Sequence, residues 1–510
     1  MTTRYPTTAT AEAAAFIEAL TPAMIPREAA RIGRRCVLDG LSVMIAGLAE
    51  ETYVLLADDA LEQGGRKDAL LFGRGRTKVP APIAARVLGG AGHAHDWDDT
   101  QVSNDPRHQY GLLTHPTVPP LAAALAVSQL RISQGHKVSG AEFFTAFMAG
   151  FEVECKLSEW LLPFVYKERS FHSSGVVGLF GAAAASAKLL GLTGDKLRIA
   201  LSICASMAAG CRVNFGTMSK PLQVARAAEN GVTAALLAQR GFTADLNGLD
   251  GEWGFFRVYG DGCFPEKLAQ GFGGEKKQQW SIVSPGVSVK PYPSGILTHQ
   301  TMDGMLELLR GESIRPEMIE RIDIHAGSNV LNPIRFAVAK THLQAKFSMA
   351  GLLTMIILRH RAGRQEFTNE FIGSPAAQEM QGRIHTHVDP QIESQGMEII
   401  RSRIELTTKD GRRFVHWAPE AYRGGPLNPL SEDDLAAKLA ACADGLLDRE
   451  RQDKLLRAAR RVDKLANAAL IAKLMQPGGA CLPFAPWPLP SWPQRVRRCS
   501  PRPGRPSRSG

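Results

Sequence analysis

The 510-residue chain carries 60 lysines and arginines against 50 acidic residues, a net charge of +10, and is 44% hydrophobic and 22% charged. That is the composition of a folded chain with room for two or three cores. Six of the ten net positive charges are arginines of residues 477–510, a stretch without a single acid, and what remains is too weakly basic to argue for a nucleic-acid partner.

No apolar run reaches the ~18 residues that span a bilayer. The opening "MTTRYPTTATAEAAAFIEAL" also lacks the basic start and apolar stretch of a secretory signal, so a cytoplasmic protein without a membrane partner is expected. The eight cysteines are scattered with no CxxC pair, which reads as buried free thiols.

Residues 1–275 read as helix after helix. Segments such as "AARIGRRCVLDGLSVMIAGL", "PPLAAALAVSQLRISQG", "GVVGLFGAAAASAKLLGL" and "ARAAENGVTAALLAQRGF" place apolar residues at three and four spacing or nearly all round. Many run out at glycine, as helix ends do. Alanine and glycine inside them permit close helix contact, and a large all-helical domain follows.

Near 280 the texture changes. "WSIVSPGVSVKPYPSG" is extended and broken by proline, "IERIDIHAG" alternates like a strand, and "SRIELTTKDGRRFVHWA" is a hairpin around Lys-Asp-Gly. Helical pieces such as "HQTMDGMLELLRG" and "FSMAGLLTMIILRH" lie between them. Residues 280–420 therefore form a smaller α+β domain in a mainly α chain. Residues 421–475 turn helical again behind a Ser-Glu-Asp-Asp start and are expected to pack back on the first domain. Residues 477–510, with nine of the 31 prolines and no periodicity, are expected to be disordered.

The densest chemistry sits in "AGHAHDWDDT", residues 91–100. His93 and His95 with Asp96, Asp98 and Asp99 could ligate a divalent metal. HxH sites usually sit at a strand end, however, and here "PIAARVLGGAG" reads as a helix and its exit; the aspartates could equally cap a turn and face water.

His115 in "LLTHPTVPP" and His172 in "SFHSSGVVGLFG" each precede a helix. Imidazoles titrate near neutrality and so suit proton transfer. Lys220 in "FGTMSKPLQ" falls at a helix start, with Ser219 as a fitting cap and Pro221 in the first turn. A cation there does not favour the helix and asks for an anionic ligand. Lys290, Tyr292 and His299 gather around two prolines in "VSVKPYPSGILTHQ", a rigid loop able to close over an acid.

Taken in order, "HAHDWDDT", "LLTHPT", "FHSSGVVGLFGAAAASAKLLGL", "FGTMSKPLQVARAAENG", "LLAQRGFTA", "KPYPSG", "AKFS" and "NPLSEDDL" resemble the MmgE/PrpD family over roughly residues 10–470. The resemblance implies a metal-independent, cofactor-free lyase, a homodimer whose smaller α+β domain acts as a lid over a site for small polycarboxylates. Carried over by position, Asp96 and Thr100 are an active-site aspartate and threonine, His115 and His172 the proton-transfer pair, and Lys220 and Lys290 carboxylate-binding lysines beside Tyr292.

The expected reaction is dehydration of a hydroxy-polycarboxylate such as 2-methylcitrate. The alternatives are decarboxylation or epimerisation of a related acid, or a catalytically silent binding protein. Two departures bear on this: Gln223 replaces a histidine common after "KPL", and Gly351 replaces a tyrosine that belongs to the site in the family's decarboxylases, which speaks against decarboxylation. The longer "QVSNDPRHQYGLL" points to a different pocket, with Arg107, His108 or Tyr110 as its contributors.

Overall fold

The alanine- and glycine-rich segments of the first half become helices whose backbones touch. The computed structural model describes residues 8–101, 114–272, 280–396 and 400–477. Arg107, His108 and Tyr110, and the proline- and arginine-rich stretch from 478 on, lie outside the described residues.

Numbering helices of seven residues or more, the first half comprises α1 Ala9–Ala19, α2 Arg27–Gly47, α3 Glu51–Gln63, α4 Ala81–His93, α5 Val118–Ser133, α6 Gly140–Trp160, α7 Ser173–Leu190, α8 Asp195–Met207 and α9 Ser219–Gln239. A Cβ added to Gly47 would lie 1.9 Å from the Ala91 carbonyl oxygen, and one added to Gly231 2.5 Å from that of Leu179. Helix α2 thus meets α4, and α7 meets α9, at distances that only a residue without a side chain permits.

Helix α7 is packed by α5, α6, α8 and α9. Contrary to the sequence expectation, it is long and apolar enough, by length and composition, to cross a membrane. In this fold 89% of it is buried, which is how a helix apolar all round is satisfied in a domain core.

The second half holds α10 His299–Gly311, α11 Met349–Arg359 and α12 Pro375–Gly382, with a four-stranded sheet of β1 Ile319–Ala326, β2 Ile384–Val388, β3 Ser402–Thr408 and β4 Arg413–Trp417. The strand order is β2-β1-β3-β4, parallel between β1 and β2 and antiparallel elsewhere. Ile322 and Ile324 of β1 and Ile404 and Leu406 of β3 turn one face inward, and with α10 and α11 they build a second apolar core.

Strand β2 has no counterpart in the sequence expectation. Its "IHTHV" buries only Ile384 and is held at the sheet edge by pairing with β1, so its identity comes from its neighbour and not from its own pattern.

Helices α13 Glu432–Ala443, α14 Arg449–Ala459 and α15 Ala469–Met475 rejoin the first core. Ser431 and Asp434 close a reciprocal cap at the start of α13. From α13, Lys438 pairs with Asp39 of α2 at 2.5 Å and donates to the Trp97 carbonyl at 2.9 Å. The last helices therefore support the "HAHDWDDT" loop from behind.

Candidate active site

Three long helices begin at one place. His115 precedes α5, His172 is the cap residue of α7, and Lys220 stands in the first turn of α9, while α4 delivers His93 as its last residue. The unpaired N–H groups and positive dipole ends of such helix starts favour anions. The cap of α9 falls on Met218, one residue before the expected Ser219, while that of α7 is His172, and Ser174 accepts the His115 backbone N–H at 2.9 Å.

Asp96 is the hub. Its backbone is left-handed, at φ +53°, a conformation that aspartate tolerates better than most residues. The turn offers carbonyl and carboxylate to the same ammonium: Lys290 donates to the Asp96 backbone oxygen at 2.8 Å and to Oδ1 at 2.9 Å. Lys220 donates to that same Oδ1 at 3.0 Å. Burial alone would raise the Asp96 carboxyl, but the two ammonium groups outweigh it and hold it well below the usual carboxylate range.

The hydrogen bonds fix how each imidazole faces the cleft. The Gln223 amide nitrogen donates to the Cys211 carbonyl at 2.9 Å, so its oxygen, 2.7 Å from His172 Nδ1, accepts the Nδ1–H. His115 Nδ1 donates to the Asp99 carbonyl at 2.9 Å. His93 Nδ1 donates to Asp98 at 2.9 Å, and its Nε2, 2.7 Å from Lys220 Nζ, accepts from the lysine. With Nδ1 as the donor, His93 and His172 leave Nε2 unprotonated, and His115 turns its Nε2 toward Asp96 Oδ1 at 3.8 Å.

Burial, reinforced by Lys220, lowers His172 well below its ordinary value, and burial also lowers His93, to about 3, despite the attraction of Asp98. Both are neutral at neutral pH. Burial lowers Lys220 as well, against the pull of Asp96 and with the push of Lys290, so its ammonium holds its proton less firmly than a surface lysine does. Thr100 is pinned to Ser288 by paired backbone bonds of 2.9 and 2.8 Å. That bridge aligns the extended segment leading to Lys290.

Asp96, Thr100, His115, His172, Lys220 and Lys290 line one cleft between the helical core and the α+β unit. Tyr166, Phe215 and Phe347 supply aromatic walls, and Lys220 lies 5.2 Å from the Phe215 ring and 5.4 Å from that of Phe347. Tyr292, expected beside the substrate, is elsewhere: its hydroxyl donates to Asp303 at 2.6 Å, and its ring belongs to the second core. His299 is buried against Ser294, 3.1 Å from its hydroxyl.

The expectation that aspartates of the 91–100 stretch could face water is overturned, because Asp96, Asp98 and Asp99 are all buried. Asp98 orients His93; Asp99, pushed up to about 8 by burial and by Asp39, takes the Thr117 hydroxyl at 2.6 Å. His93, weighed from sequence as a metal ligand, is thus a direct neighbour of the predicted lysine, with Asp98 behind it. Lys346, within the "AKFS" block, also lines the cleft.

Metal ligation by the His93-Ala94-His95 pair does not fit this geometry. The two rings diverge at the helix end, and His95 Nε2 lies 3.4 Å from the Ala46 carbonyl and 3.5 Å from Glu50. His93, Asp96, Asp98 and His115 do bring ligand-type atoms within 4.8 Å of one another. Of these, His93 Nε2 and Asp96 Oδ1 are already engaged by the Lys220 and Lys290 ammonium groups, whose charge opposes a dication at that spot.

The N-terminal domain model of MmgE/PrpD matches residues 11–266 and its C-terminal domain model residues 292–464. The chain belongs to the MmgE/PrpD family. Among relatives, the cis-aconitate decarboxylase of Homo sapiens is 27% identical over 450 residues, covering 87% of this chain and 89% of that protein. The Mus musculus enzyme of that name is 26% identical over 453 residues, covering 88% and 89%. That of Aspergillus terreus is 22% identical over 479 residues, covering 88% and 92%. The relatives therefore carry the name of a carbon–carbon lyase, not of the hydro-lyase that the motifs led us to expect.

Both departures from the family pattern now have a structural setting. Gln223 orients His172, a task for which an amide locked by Cys211 suffices. Gly351 lies in the first turn of α11, its N–H bonded to Ser348 Oγ at 3.1 Å, and it does not line the cleft.

Proposed function

We propose that the chain is a lyase acting on a small polycarboxylate by proton transfer next to a carboxylate. One observation carries this reading: imidazoles whose Nδ1–H is bonded away from the cleft line it beside two ammonium groups that share a single carboxylate. Charge developing next to a carboxylate forms an enediolate dianion, which buried cations stabilise more than they stabilise the resting substrate. Lys290 and Lys220 hold carboxylates. His172 and His115, with Nδ1–H bonded outward, act as bases, so a proton added to carbon or to a leaving hydroxyl comes from an ammonium, and Lys220 has the loosened proton.

The finer reading is decarboxylation of a cis-aconitate-like acid, supported by the names of relatives that align along nearly the whole chain. The bond to one carboxylate breaks, its electron pair passes into the conjugated acid as carbon dioxide leaves, and Lys220 returns a proton to carbon. Dehydration of a hydroxy acid such as 2-methylcitrate is the second reading, favoured by Gly351, which leaves no hydroxyl at the position where the family's decarboxylases carry tyrosine.

Incubation with cis-aconitate and with 2-methylcitrate, followed by carbon dioxide capture and product NMR, separates these. Carbon dioxide with a decarboxylated acid establishes the first, and an unsaturated acid formed with loss of water establishes the second. Absence of turnover across a panel of short hydroxy- and unsaturated polycarboxylates overturns the lyase reading.

A further inference from the structure

Lys346 is a buried cation without a carboxylate of its own. It is 2% exposed and lines the cleft with Lys220 and Lys290. Its Nζ donates to the Ala94 carbonyl at 2.7 Å, and among the described residues no carboxylate comes within ion-pair distance of it. Of the two acids that attract it, Glu50 turns its oxygens toward His95 at 3.5 Å and His342 at 3.6 Å, and Asp96 is taken by Lys220 and Lys290. An ammonium carries three donors. Burying it with one backbone acceptor is costly unless another anion is at hand.

The position is as specific as the burial. Lys346 belongs to the α+β unit and reaches across to Ala94, two residues before Asp96. Its chain neighbour Phe347 forms the aromatic wall against Lys220. Three ammonium groups therefore face the cleft with Asp96 as the ionised counter-charge lining it. The surplus of two positive charges matches a ligand with more than one carboxylate, and the third lysine gives it a further contact.

We infer that Lys346 is a substrate-binding residue that holds a carboxylate distinct from those held by Lys220 and Lys290, and so makes the cleft selective for tricarboxylates over dicarboxylates. This rests on the polycarboxylate reading of the site. The lysine also ties the two units together, because it comes from the α+β unit while its backbone acceptor lies in the helical core.

Titration calorimetry of the full chain with propane-1,2,3-tricarboxylate and with glutarate, which lacks the middle carboxylate, tests the assignment. The unaltered chain should bind the tricarboxylate at least about tenfold more tightly, the worth of one charge-assisted hydrogen bond. Lys346→Met should weaken tricarboxylate binding about tenfold to a hundredfold and leave glutarate nearly unchanged, so that glutarate doubles as the check on folding. Lys346→Arg, which keeps the charge, should keep most of the preference. Equal affinities for the two acids in the unaltered chain, or equal losses of both in Lys346→Met, overturn this assignment alone. Binding of neither acid to the unaltered chain overturns the polycarboxylate reading and the assignment together.

Discussion

The ammonium of Lys220 lies 2.7 Å from His93 Nε2, and the opposite nitrogen of that ring bonds Asp98 at 2.9 Å. A carboxylate orients a histidine, and the histidine aims a lysine. His93→Ala should lower kcat about 10²-fold, the scale of a misplacement by an ångström, while His93→Gln, which can still accept from the ammonium, should recover part of it. Steady-state kinetics of the two variants decide this; equal losses would show that His93 merely fills space.

Gln223 sets the tautomer of His172. Gln223→Leu should reduce kcat with little change in KM, because it removes orientation and not binding. Gln223→Glu places a carboxylate beside the imidazole and so raises its pKa. The acid limb of the kcat profile should then move to higher pH. An unmoved limb would separate Gln223 from the proton transfer.

On the proposed mechanism, direct replacement of His115 or His172 removes a base. Each change should cost about 10² or more in kcat. Wild-type turnover in both variants would remove the histidines from the chemistry.

Buried histidines make the fold acid-sensitive. Burial lowers His95 to about 4 and His93 to about 3 in the folded chain, against an ordinary value near 6.5. Between those values the unfolded chain binds protons that the folded chain refuses, so stability is full above about pH 6.5 and falls as pH drops toward the folded values. Urea melts across this range should show the decline, and His95→Gln should flatten it. Parallel curves for variant and wild type would count against His95.

The pair between Lys438 and Asp39 is buried on both sides. Lys438→Met leaves Asp39 uncompensated and should cost about 3–5 kcal/mol, with partial recovery when Asp39→Asn is added. Denaturant titration measures both. Because Lys438 also holds the Trp97 carbonyl, the single variant should lose activity before it unfolds.

Sequence disclosed what depends on local order. The helices declare themselves through spacing and small residues, and His115, His172 and Lys220 stand out because each marks a helix start. His93 could not be read that way. Its partner Lys220 is 127 residues distant, and Lys346 meets Ala94 across 252 residues. Tyr292 misled for the opposite reason: closeness to Lys290 in the chain suggested a shared task, whereas its hydroxyl had a nearer acceptor in Asp303. The pairing that makes β2 a strand is likewise absent from its own five residues.

The convergence of Lys220, Lys290 and Lys346 on one cleft bears on how product departs. Dehydration leaves the number of carboxylates on the acid unchanged, so its product competes with fresh substrate for every ammonium. Decarboxylation removes one, and an ammonium that loses its carboxylate favours exchange for a fully charged molecule. The same three lysines would thus make a dehydratase prone to inhibition by its product and a decarboxylase nearly immune to it.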